Sequence, residues 1–128
     1  MNGESNIQKA YESILGHDFE KAIEWFEKAI AEEPNNAAYH HKLSITFARS
    51  NKLARAIEHA SKAIELEPIN EDFRFHLQVL NARALVEQAK RQLSMPSAHA
   101  ERAIFLLKEA ITLDPLAIEA YLILGEAF

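Results

Sequence analysis

The chain has 128 residues, a net charge of −5 and no cysteine. That length holds one domain with a modest core, or a short repeat array. The negative balance gives no footing for nucleic acid, and the lack of cysteine excludes disulfides and thiolate chemistry. The opening residues Met-Asn-Gly-Glu-Ser-Asn contain neither a basic segment nor an apolar run. No stretch approaches the roughly 20 apolar residues of a membrane span. A cytoplasmic protein without a membrane partner is therefore expected.

The first segment, about Gly3 to Asn36, reads as a helical hairpin. Its second half repeats Phe19, Ala22, Ile23, Phe26, Ala29 and Ile30 at helical spacing. Its first half carries the apolar stripe Ile7, Ala10, Tyr11, Ile14 and Leu15. A strict 34-residue register would bury Asn6, Lys9 and Ser13 instead. A turn shortened by one residue at Gly16-His17 is expected to restore the apolar face, with Gly16 left-handed.

The second segment, Ala37 to Asn70, folds at Ser50-Asn51-Lys52. Leu43 and Phe47 supply bulk, and Ser44, Ala56, Ala60 and Ala63 are small where two helices must approach closely. Asn35-Asn36 and Asn70 can cap the following helices, and Pro34 and Pro68 stop the preceding ones. Glu24–Lys28, Glu58–Lys62 and Glu87–Arg91 are acid-to-base pairs on a solvated face.

The third segment, 71–117, has no turn where the second has one. Its helical pattern runs from Phe75 to Leu93, breaks at Ser94-Met95-Pro96-Ser97 and resumes through Ala103, Leu107 and Ala110. Both helices are expected to be elongated. The arm tip, Gln88 to Ala98 with Lys90 and Arg91, should protrude, either packing on itself or meeting a partner. The fourth segment, 118–128, is one apolar helix with Tyr121, Leu122, Leu124 and Phe128. Such a helix is expected to be covered, by further chain or by a second copy.

Three sets of markers fix the period. Ala22, Ala56 and Ala103, then Ala29, Ala63 and Ala110, then Pro34, Pro68 and Pro115, step by 34 and then by 47 residues. One insertion of 13 residues therefore lies between Leu77 and Ala103. The 34-residue helix–turn–helix unit with these small residues and terminal proline resembles the tetratricopeptide repeat (TPR). The resemblance implies an all-α solenoid of three repeats plus the first helix of a fourth, forming one domain over 1–128. It implies a non-catalytic scaffold whose first helices line a concave groove for a peptide or helix of another protein.

On family positions the groove would hold His41, Ile45, Ala48 and Arg49, then Asp72, Phe75, His76 and Val79, then Leu122 and Glu126. The first repeat would add Gln8, Glu12 and Leu15, or Ile7 and Tyr11. The relatives that grip chaperone C-terminal tails use a basic clamp, whose matching positions here are Ile7, Tyr11, Lys42, Asp72 and His76. These do not reproduce it, so a chaperone tail is not the expected partner. The alternative is a self-associating module, a homodimer through Tyr121, Leu122 and Phe128 or through the long arm.

No cofactor or metal is expected. His40 and His41 are adjacent and diverge on a helix, and no histidine pair stands at i, i+4. His41 and His76 could approach across neighbouring repeats, though ordinary half-buried histidines are the simpler reading. No serine sits in a nucleophile elbow and no Gly-rich phosphate loop exists, so no catalytic residue is assigned.

Overall fold

The computed structural model describes residues 3–94 and 100–127, with side chains to Gly125. They form seven helices: α1 Glu4–Leu15, α2 Phe19–Glu32, α3 Ala37–Arg49, α4 Leu53–Leu66, α5 Glu71–Ser94, α6 Ala100–Leu113 and α7 Ile118–Ala127. No strand occurs among the described residues. The chain divides into two compact units, Met1–Leu77 and Gln78–Phe128, with the division inside α5.

In the first unit α1 packs on α2, α2 on α3 and α3 on α4. The small markers Ala22, Ala29, Ala56 and Ala63 are fully buried, which lets helix backbones approach. Phe26, Leu43 and Phe47 fill the core. Each such side chain contributes about 1.5–3 kcal/mol by leaving water. The Ser44 hydroxyl donates to the Ala56 carbonyl at 2.6 Å, a contact that only a small residue at the crossing allows. Asn36 and Asn70 accept from the backbone N–H groups of Tyr39 and Phe73, capping α3 and α5 as expected.

The turn between α1 and α2 overturns the shortened register. Asp18 N–H donates to Ser13 C=O, and Lys52 N–H donates to Phe47 C=O, both at 2.8 Å. The two turns are thus superposable at a strict 34-residue step. The left-handed residues are His17 (φ 58°) and Asn51 (φ 62°), whereas Gly16 has φ −84°. Asn6 is accordingly buried, while Leu15 and Tyr11 are exposed. The polar face is tolerated because its groups are paired: Asn6 Nδ2 donates to Glu32 Oε1 at 3.0 Å and Ser13 Oγ to Lys9 C=O at 3.0 Å. The N-terminus is tied down by Glu33, which accepts from Gly3 N–H at 2.5 Å and from the Tyr39 hydroxyl at 3.1 Å.

The second unit has its own core of Ala82, Val86, Ala89, Ala103, Leu106, Leu107, Ala110 and Ala120. Here the described residues carry the insertion in α5. α5 has 24 residues against 13 in α3, while α6 has the same 14 as α2 and α4. Among the described residues the added length lies in the first helix of the third repeat. Its added turns pack through Val86 and Ala89, with Leu93 against the same cluster, so they do not stand free. Lys90 is exposed, yet it pairs with Glu119 of α7 as well as Glu87. Met95, Pro96 and Ser97 lie outside the described residues. On the helix surfaces Glu58 pairs with Arg55, Lys62 with Glu65 and Glu87 with Lys90, and Lys28 lies over Trp25, so the expected four-residue partners are exchanged. Each exposed pair is worth at most about 1 kcal/mol.

Candidate functional site

The first helices of the first unit carry several of the sequence-derived groove residues. Lys42 of α3 lies 5.4 Å over the Tyr11 ring of α1, and the His41 ring lies 4.6 Å from that of Phe73 in α5. On these helices Leu15 is 82% exposed, Phe75 58% and Tyr11 42%. Arg49 is exposed, and Ile45, Ala48 and His41 are half-buried. Ile7 is buried, and Asp72 is exposed. In the strict register Ile7, Tyr11 and Leu15 stand where His41, Ile45 and Arg49 stand one repeat later, which replaces Gln8 and Glu12 as groove residues. Val79 and Leu122 belong to the second unit; Val79 is half-buried and Leu122 is 64% exposed.

His76 is held rather than free. Its Nε2 lies 2.9 Å from Ser44 Oγ. The serine hydrogen is committed to the Ala56 carbonyl, so His76 Nε2–H donates and the serine accepts. Ser44 is fully buried, which removes it as a nucleophile despite its histidine partner. His41 meets His76 edge to face at 4.9 Å, the approach the sequence allowed for. Burial pushes the His76 imidazole down to about 4, with neighbouring His41 adding to the effect. Burial also lowers His41, where Lys42 assists and Asp72 opposes.

A second pair was not foreseen. His40 Nδ1 lies 3.1 Å from His59 Nδ1 of α4, and His40 Nε2 lies 2.9 Å from the Pro34 carbonyl. The rings are inclined by 21°. Nothing in the spacing of His40 and His59 announces this contact, because it depends on how α3 crosses α4. Among the described residues no group of three or more His, Cys, Asp or Glu side chains is placed to hold a metal ion. None of the described helices is long and apolar enough to cross a membrane.

In the second unit Ile118, Tyr121 and Leu122 of α7 are exposed, as are Phe105 and Leu116. Phe128 lies outside the described residues.

Residues 4–36 match the family model of the tetratricopeptide repeat, and α2, α4 and α6 begin 34 and then 47 residues apart. Residues 4–36 are thus identified as a tetratricopeptide repeat. The fold of the chain is an all-α solenoid of TPR repeats, and solved TPR structures resemble it over most of their length. The crystal structure of MamA protein matches with a TM-score of 0.60 at 20% identity, over 98% of this chain and 80% of that one. The Arabidopsis OM64 TPR domain matches at 0.57 and 18% identity, over 98% and 93%. The second TPR domain of human RPAP3, determined by NMR in complex with the HSP70 peptide SGPTIEEVD, matches at 0.56 and 17% identity, over 98% and 93%. No curated protein matches the sequence. At these identities the likeness shows the TPR fold alone.

Proposed function

We propose that this TPR chain is a non-catalytic scaffold that binds a peptide or amphipathic helix of another protein on its first-helix face. The observation that carries this reading is the exposure of Tyr11, Leu15 and Phe75 at repeat positions of the first helices, where His41 and Ile45 are half-buried. Large apolar side chains left exposed at repeat positions suit an apolar or amphipathic ligand. The peptide complex of the RPAP3 domain supports a protein partner in general. Val79 and Leu122 extend the same reading to the second unit, with the whole chain acting as one domain in a cytoplasmic setting.

An acidic tail such as SGPTIEEVD is not the partner we propose. At the clamp positions Ile7 is buried, Asp72 presents a like charge and His76 is neutral with its Nε2–H committed to Ser44. Only Lys42 offers a cation there, and it lies over Tyr11. The experiment is selection of peptides from a helical library on the wild-type chain, followed by affinity measurement on Phe75→Asp. A selected peptide should lose at least about tenfold in affinity, since an exposed hot-spot contact carries about 1.4 kcal/mol or more. Equal binding to the variant, or selection of acidic tails, would overturn the reading.

A second reading rests on α7. Tyr121 is 50% and Leu122 64% exposed, which favours a homodimer through this helix. Light scattering over a concentration series should then show a dimer that Tyr121→Glu/Leu122→Glu converts to a folded monomer. A monomer at every concentration removes this alternative.

A further inference from the structure

Four of the six histidines meet around α3 in two pairs. His40 joins α3 to α4 through His59, and His41 joins α3 to α5 through His76 and Phe73. The hydrogens of the first pair can be placed from the acceptors. The Pro34 carbonyl can only accept, so His40 Nε2 bears a hydrogen. In the neutral ring His40 Nδ1 is then an acceptor, and His59 donates its Nδ1–H across 3.1 Å. One hydrogen fits between the two nitrogens. A fully protonated pair would set N–H against N–H and break the contact.

The second pair is limited in a different way. His41 Nδ1 is buried without a partner. An imidazolium there would carry an N–H with no acceptor, at the cost of an unmet buried donor. His76 already donates through Nε2, and a proton added at Nδ1 would place a cation against the edge-on His41 ring.

We propose that these four imidazoles form an acid-sensitive joint, holding α3 to α4 and α5 while neutral and releasing both helices as the pairs take up protons. The joint does not depend on what the first-helix face binds. The charged groups around it are mixed. Lys42 on α3 and Arg55 on α4 oppose protonation of His41 and His59, and Asp72 on α5 and Glu58 on α4 favour it. Lys62 and Glu65 line the same recess as His40 and His59. From the α2 side, His40 meets the carbonyl of Pro34. Burial outweighs the carboxylates: His41, His59 and His76 all titrate below an ordinary histidine, with burial the largest cause in each.

The folded chain therefore binds these protons more weakly than the unfolded chain does. The stabilisation is complete above the unfolded value of 6.5 and is lost as pH falls, His76 contributing down to about 4. Glu33, whose carboxyl is held below 4.5 chiefly by the Gly3 N–H, loses its contribution only further down. Between pH 7 and pH 5 the histidines are thus separable from it.

The test is chemical denaturation of the wild-type chain at pH 7 and pH 5. It is joined by NMR titration of each imidazole and by amide protection corrected for intrinsic exchange. The unfolding constant is expected to rise about tenfold or more over this range. Protection should fall in α4 and the start of α5 before it falls in α1 and α2. His59→Gln/His76→Gln keeps a side-chain donor at both contacts without the titration, and should at least halve the logarithm of the pH effect. Imidazoles that all titrate near 6.5, protection lost uniformly, or an unchanged pH effect in the double variant would overturn the proposal. If the double variant fails to fold, the wild-type titration and protection pattern decide it alone.

Discussion

α3 and α7 occupy the same place in their repeats and live in different surroundings. His40, Ser44 and Ala37 of α3 are buried beneath neighbouring helices. Their counterparts one 81-residue step later, Tyr121, Gly125 and Ile118, are exposed. The contrast is sharpest at the helix crossing. Ser44 Oγ touches the Ala56 carbonyl at 2.6 Å, whereas a Cβ placed on Gly125 meets nothing within 4 Å. Position in the repeat sets which face of a helix is prepared for contact; the neighbouring helix decides whether that preparation becomes burial.

Substitutions can break this comparison. Ala56→Leu should have the largest effect, because Ala56 is fully buried under Ser44. We expect a loss of about 1–3 kcal/mol by overpacking, read as a fall in melting temperature. An unchanged melting temperature would mean that the crossing is not tightly packed. Gly125→Ala probes the open counterpart and should stabilise by up to about 1 kcal/mol, since helical glycine is unfavourable and the added methyl has room. A marked loss would show that α7 is covered in solution. The smallest effect belongs to Lys90→Glu in the second unit. It replaces exposed ion pairs with Glu87 and Glu119 by like-charge contacts screened by solvent, so denaturation should show only a small loss, shrinking in high salt. A greater, salt-independent loss would mean that this link does more than join two surface charges.

The repeat architecture was legible because its markers are local and redundant. Alanines, prolines and capping asparagines recur at common steps, and each has one physical reason to be where it is. The register of α1 was not legible. Its apolar stripe pointed one way, and the buried Asn6 is explained only by Glu32 on the next helix. The elongation of α5 was legible because the apolar pattern continues from Phe75 to Leu93 without a turn. The period placed the first-helix candidates of α3, such as His41, Ile45 and Arg49, within the repeat, but not those of α1. It could not place the His40–His59 contact, which is made by two surfaces of a crossing.

The extra length of α5 has a geometric consequence. Eleven residues beyond the span of α3 amount to about three whole turns at 3.6 residues per turn. An addition of that size lengthens a rod while leaving its angular phase almost unchanged. The packed side nevertheless changes along α5: Phe73 and Leu80 are buried near its start, whereas Ala82, Val86 and Ala89, on the other side of the helix at about 100° per residue, are buried in the core of the second unit.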